Sequence, residues 1–304
     1  AGLKGCGWFE QQNIPVPNMG AFLDLVALGT VADVVMLDKN NRIMIHHGLN
    51  RIRAGKASVG ILALIEISGR EYRHIKALDL GYIIGPRLNA AGRLDDMSRG
   101  VECLLSENYK TSLSISAGLN ELNIERRALE TKMQAEAYAA LQNLDSNDDS
   151  RPFGLCVYQE DWHQGIIGLL AARLKERYHC PVVAFASESE TTIKGSARSV
   201  SGLHIRDALD IIAKRHPDLL SKFGGHAMAA GLSIKKEDFP QFKQVFNDVV
   251  TELVCNERLE AVVLSDGELN VEHFNLDTAN LLRRGGPWGQ GFPEPLFDGK
   301  FSVI

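Results

Sequence analysis

No stretch of this 304-residue chain stays apolar for the roughly 18 residues that a membrane helix needs, so no membrane span is expected. Cysteine is sparse and scattered. Cys6, Cys103, Cys156, Cys180 and Cys255 stand far apart, and no two have Cys-x-x-Cys spacing. That argues against a zinc ribbon or a dithiol redox motif. Reduced, mostly buried thiols in a cytoplasmic protein are the expectation. Initiator Met, basic leader and signal-peptide core are all missing. The chain opens on Ala1-Gly2-Leu3-Lys4 and closes on Phe301-Ser302-Val303-Ile304, and it reads as an internal piece of a longer protein. Neither sign of charge dominates: the net charge of −5 argues against indiscriminate coating of nucleic acid but leaves room for a local basic groove.

What is present is ordinary for a soluble globular protein: 45% hydrophobic and 23% charged residues, at a length that suggests about two domains. Residues 1–20 read as irregular, punctuated by Pro15 and Pro17. Leu23 to Leu37 is apolar except at Asp24, Thr30 and Asp33, with helical spacing. Asp38-Lys39-Asn40-Asn41 is a cap signal for an amphipathic helix that turns Ile43, Leu49 and Ile52 inward, exposes His46 and His47, and stops near Gly55. Ser58 caps a short helix, Ile61 to Ile67, closed by Gly69. Residues 79–98 mix glycine, proline, two arginines, an asparagine and two aspartates, which suits either the lining of a site or a solvated loop. Thr111 to Leu144 carries an apolar stripe at steps of three, four and seven, which predicts one long helix, and Asp145 to Ser150 is a polar linker.

Beyond Arg151 the pattern alternates between strands (153–158, 181–186, 193–200, 227–234) and helices (166–178, 203–214, 239–254), a compact α/β domain of about 100 residues. Residues 256–304 begin something else: a strand at 262–264, a helix at 273–284, a rigid Gly/Pro turn at 285–291 and a last strand at 297–304.

Three segments of the α/β domain suit an anion. Asp161-Trp162-His163-Gln164-Gly165 precedes a helix whose first N–H groups are free for a phosphate. In Lys194-Gly195-Ser196-Ala197-Arg198-Ser199 the strand period puts Ser196 and Arg198 on one face, a hydroxyl beside a planar guanidinium. Phe223-Gly224-Gly225-His226 is a turn that either packs tightly in a core or aims N–H groups and an imidazole at one anion. Asp33, inside an apolar run, would be costly to bury alone, so a cap or a divalent cation is expected as its partner.

Several of these stretches together resemble a known family. Leu25-Val26-Ala27-Leu28-Gly29-Thr30-Val31-Ala32-Asp33-Val34 resembles the fourth metal-site motif of the DHH phosphoesterase superfamily. Pro86 to Arg93, Trp162 to Gly168, Gly195 to Ser199 and Phe223 to Gly231 resemble the RecJ-type single-stranded-DNA exonucleases of that superfamily, the last three lying in its DHHA1 domain. The resemblance implies an α/β fold in four parts: the end of a DHH domain with a helical extension (1–110), a connector helix and linker (111–150), a DHHA1 domain (151–255) and the start of an OB-fold-like β domain (256–304). It implies metal-dependent hydrolysis of single-stranded DNA from the 5′ end in repair and recombination. Mn²⁺ or Mg²⁺ would be held mainly by motifs upstream of Ala1, so the fragment alone is expected to be inactive. By resemblance Asp33 is a catalytic metal ligand, and Arg87, Asn89, Arg93, His163, Ser196, Arg198, Gly224, Gly225 and His226 contact the strand. Helicase or single-strand-binding protein are the implied protein partners, and no membrane is. The alternatives are an oligoribonuclease or cyclic-dinucleotide phosphodiesterase of the same superfamily, or a noncatalytic single-strand-binding module.

Overall fold

The computed structural model describes residues 8–16, 18–141, 152–254 and 263–300. It is an α/β structure that divides into two compact units, residues 1–123 with 264–304, and residues 124–263. Cys6, Cys255, Pro17, the end of the long helix (142–144), the linker 145–150, Val262 and Phe301 to Ile304 lie outside the described residues.

The first unit is helical. Helix α1, Leu23–Ala32, buries Asp24, Ala27 and Leu28 and is apolar almost all round. It ends ahead of the expected Leu37 because Asp33 caps its C-terminus and Val34 turns to φ 54°, costly for a β-branched residue. Helix α2, Lys39–Arg53, starts where Asp38 accepts the Asn41 N–H at 2.8 Å. Its buried seam is Ile45, Leu49 and Ile52, and Ile43 points outward, a correction of one position in the expected stripe. A Cβ on Gly48 would lie 2.2 Å from the Leu23 carbonyl oxygen, so α1 and α2 meet backbone to side chainless backbone. Helix α3 is Val59–Ile67. Ser58 precedes it, but its side chain makes no cap; its N–H donates to the Asp24 carboxylate at 2.5 Å.

Residues 79–98, which suit either the lining of a site or a solvated loop by sequence, are largely helical, so the loop is not there. A single turn (Ala77–Asp79) runs into a π-helical segment, Leu80–Ile84, whose ladder continues with the Gly85 N–H donating to the Leu80 carbonyl, and then helix α4, Gly85–Leu94, with Pro86 as its second residue. Helix α5 is Ser98–Leu105, and helix α6 runs through Tyr109–Leu141, starting two residues before the expected Thr111. Residues 264–300 belong to the first unit. Leu37 N–H donates to the Gln290 carbonyl at 2.7 Å, and the Arg42 guanidinium stands 3.5 Å over Phe292, which stacks on Trp288 at 4.9 Å. The expected strands near 263–264 and 297–300 are absent among the described residues, where only isolated bridges such as Glu268 to Asp298 occur.

The second unit is one mixed sheet. Its strands are β1 Leu155–Tyr158, β2 Val182–Ser187, β3 Thr192–Arg198, β4 Lys222–Gly225 and β5 Ala229–Lys235, in the order β1-β2-β3-β5-β4. Only β1 and β2 are parallel. Helix α7, Ile167–Tyr178, makes the crossover between them and packs on β2 and β3. Helices α8, Ile205–Arg215, and α9, Phe239–Leu253, pack against each other and on the sheet's core face. Helix α10, Leu276–Gly285, returns to the first unit and starts where Asn275 accepts the Thr278 N–H, later than the expected His273. In the core Phe185 meets Phe242 edge-on at 5.4 Å, and Phe242 stacks on Phe246 at 5.8 Å. Cys103, Cys156 and Cys180 are buried free thiols, and desolvation pushes Cys103 and Cys156 up, away from the reactive thiolate.

Candidate nucleic-acid interface

Side chains alternate along a strand, so β3 sends Ile193, Gly195 and Ala197 into the core and Lys194, Ser196 and Arg198 to the other face. The register carries that face across three strands. Ser196 pairs with Gly231, which pairs with Gly224. Lys194 pairs with Ser233, which pairs with Lys222. Arg198 pairs with Ala229, whose carbonyl accepts the His226 N–H at 2.8 Å. The middle row is therefore a floor of two glycines, and a Cβ added to either would meet nothing within 4 Å. Arg198 and exposed His226 stand on one side of it, exposed Lys194 and Lys222 on the other.

Arg198 is aimed by its neighbours. Its Nη1 donates to Ser196 Oγ at 3.0 Å and to the Ala197 carbonyl at 2.8 Å. The first turn of α7 lies against both: a Cβ on Gly168 would come 2.8 Å from Arg198 Nη2 and 3.0 Å from Ser196 Oγ. The positive end of that helix adds to the guanidinium field. His163 is exposed on the loop before α7, where its Nδ1 accepts the Gly165 N–H at 3.1 Å. Trp162 beside it is buried and donates to Glu136 at 2.8 Å. The register thus brings Ser196, Arg198, Gly224 and His226 onto one face, with His163 placed at the entrance to the helix that abuts them.

Gly225 differs from Gly224. Its φ is +152°, and a Cβ there would lie 2.4 Å from the Ala229 carbonyl oxygen. The expected free-standing glycine turn is in fact strand β4 entering a hairpin at His226, with Gly225 facing the core side. Gly225→Ala is expected to lower stability by roughly 1–3 kcal/mol. Gly224→Val should leave melting temperature near wild type while weakening single-strand binding by about 1–2 kcal/mol, because it fills the floor a phosphate would use. Equal loss of stability in both variants, measured by thermal melts beside binding titrations, would contradict this assignment.

In the first unit the expected strand contacts do not share a face. On α4, Asn89 and Arg93 project together, the first exposed and the second half-buried, whereas Arg87 lies on the far side. Arg87 donates from Nε to Asn120 Oδ1 at 3.0 Å and from Nη1 to the Ile83 carbonyl at 2.7 Å, tying α4 to α6.

Asp33 is exposed, so the expected buried carboxylate in need of a partner is not there. The buried one is Asp24, nine residues earlier, 1% exposed and 3.8 Å from Arg51. Sequence reasoning also passed over Lys194 and Lys222, whose signal was their strand register beside Ser196 and Gly224. Among the described residues no group of three or more His, Cys, Asp or Glu side chains is placed to hold a metal ion. A lone exposed carboxylate fits as one hard oxygen donor to Mg²⁺ or Mn²⁺, not as a complete site.

A DHHA1 domain model matches residues 152–252, and a RecJ OB domain model matches residues 265–304. The single-stranded-DNA-specific exonuclease RecJ of Dickeya dadantii is 53% identical over 304 residues, 100% of this chain and 53% of that protein. The Escherichia coli RecJ is 50% identical over 302 residues, 99% of this chain and 52% of its own length. Along its whole length the chain is similar to the RecJ exonucleases. It spans about half the length of the curated RecJ proteins it matches. Crystal structures of Thermus thermophilus RecJ in complex with Mg²⁺ and with Mn²⁺ superpose on it with a TM-score of 0.79 at 29% identity, covering 95% of this chain and 43% and 41% of those chains. No helix among the described residues is long and apolar enough to cross a membrane.

Proposed function

We propose that this chain is the C-terminal half of the catalytic core of a cytoplasmic, metal-dependent RecJ exonuclease that hydrolyses single-stranded DNA from the 5′ end in repair and recombination. The observation that carries the reading is the open Gly224–Gly231 floor between Arg198 with His226 and Lys194 with Lys222. A glycine floor lets a sugar-phosphate backbone approach the sheet closely, and the flanking cations hold it without reading its sequence. Arg198, aimed by Ser196 and the Ala197 carbonyl, places its positive charge and planar guanidinium on this face beside the glycine floor. Asp33 contributes one oxygen to Mn²⁺ or Mg²⁺ in the longer protein, and the rest of the ligand set lies outside the described residues. The bound metal supplies Lewis acidity and a more acidic water; this chain's share is to grip the strand and keep it in line. The RecJ OB match over 265–304 favours this reading over an oligoribonuclease or cyclic-dinucleotide phosphodiesterase. A helicase or single-strand-binding protein is the proposed partner class.

For the 304-residue chain alone, the absence of a metal-ligand cluster among the described residues supports a second description, that of a binding module without catalysis. Its affinity for single strands should fall with salt at a log–log slope of about −2, the value for roughly three phosphate contacts, and it should release no nucleotides in Mn²⁺. Fluorescence anisotropy across a salt series checks the first point, and release from end-labelled oligonucleotide checks the second. Affinity indifferent to salt would count against the phosphate grip. Metal-dependent cleavage by rigorously purified chain would show that no further ligands are needed.

A further inference from the structure

Helix α1 is apolar on nearly every side, so hydrophobicity alone does not fix how it is turned about its axis. Asp24 does. Its Oδ2 accepts the Ser58 N–H at the start of α3, and its Oδ1 lies 3.8 Å from Arg51 Nε on α2. Arg51 is itself held, with Nη2 donating to the Lys56 carbonyl at 2.7 Å. One carboxylate therefore ties α1 to two other elements. Asp24 Oδ1 and Arg51 Nε are both buried and make no hydrogen bond, so the pair is an ion pair of indifferent geometry. Desolvation offsets most of what such a pair gains, and a stability role is a poor explanation for it; fixing register is a better one.

What the register fixes is the direction of Asp33. Nine residues at about 100° each place the two carboxylates about 180° apart around the helix. With Asp24 drawn inward, Asp33 is turned outward, and it is exposed. The other end of α1 is hemmed in closely: a Cβ on Gly85 would lie 3.1 Å from Ala32 Cβ, and one on Gly81 3.2 Å from Val31 Cγ1. We propose that Asp24, through its contacts with Ser58 and Arg51, is a positioning residue that sets the rotation of α1 and so aims Asp33 at the metal. This rests on the reading of Asp33 as a metal ligand.

The test uses the full-length enzyme. Two variants are compared: Arg51→Gln, which keeps the Asp24 bond to Ser58, and the double Asp24→Leu/Arg51→Leu, which replaces the pair by apolar bulk. Mn²⁺ affinity is read by electron paramagnetic resonance, folding by thermal melts and strand binding by anisotropy in EDTA. Loss of an outer-shell support typically weakens metal binding about 10–100-fold. The double variant should fall in that range, with melting temperature and strand affinity close to wild type, and the Mn²⁺ concentration for half-maximal cleavage should rise in parallel. Arg51→Gln should lie between the double variant and wild type. A folded double variant with wild-type Mn²⁺ affinity overturns the proposal, and so does loss of folding in both variants, since the pair would then be a stability element. Asp33→Asn in the same titration separates the two claims. If it leaves Mn²⁺ affinity unchanged, the ligand reading fails; if it weakens binding and the double variant does not, only the positioning inference fails.

Discussion

Asp33→Asn in the full-length enzyme is expected to cut phosphodiester hydrolysis by at least about 10²-fold, some 2.7 kcal/mol of barrier, while leaving single-strand affinity in EDTA within about twofold of wild type. Asparagine keeps the size of the side chain and one carbonyl oxygen but removes the charge that a hard divalent cation demands. Because Asp33 is exposed at the end of α1 and not packed into the core, the change should not disturb folding. The two readouts are single-turnover cleavage in Mn²⁺ or Mg²⁺ and anisotropy without metal. Near-normal cleavage by the variant would remove Asp33 from the ligand set.

Arg198 carries the second large effect. A charged hydrogen bond to phosphate is worth about 1.5–3 kcal/mol, so Arg198→Ala should weaken strand binding by roughly 10- to 150-fold. Arg198→Lys keeps the charge and loses the planar fork, and should fall between alanine and wild type. A purely structural arginine would make the opposite prediction, a lower melting temperature with unchanged affinity. Melting and binding measured on the same preparation of Arg198→Ala distinguish the two roles.

The α/β unit was legible in the sequence because its signals are local. Strand and helix periods from Leu155 to Leu253 match the observed elements to within a few residues, and the common face of Ser196 and Arg198 follows from a period of two. Strand β4 was not legible, because Lys222-Phe223-Gly224-Gly225 has little β propensity and is a strand only by pairing with β5. The helix through Gly85 and Pro86 was hidden for a similar reason: both residues punctuate most chains, yet here a π-helical segment leads straight into them. Asp24 and Asp33 are the sharpest case. The apolar run shows that two carboxylates nine residues apart cannot both point inward, but which one does depends on Arg51 and the Ser58 N–H, partners more than 20 residues away in the chain.

Strand β4 has one further consequence. Among the described residues it is the outermost strand of its sheet, with one side paired to β5 and no strand paired to the other. An open edge invites a second chain to add itself and begin an aggregate. Here the edge is four residues long, starts with an exposed lysine and ends in two glycines, so an incoming strand would find a short, charged and poorly defined template. The bareness proposed to admit a polynucleotide to the face of this sheet would therefore also discourage polypeptide from growing onto its rim. Substitutions that would make β4 a better strand, such as threonine or valine for its exposed glycine, carry a colloidal cost as well as a functional one.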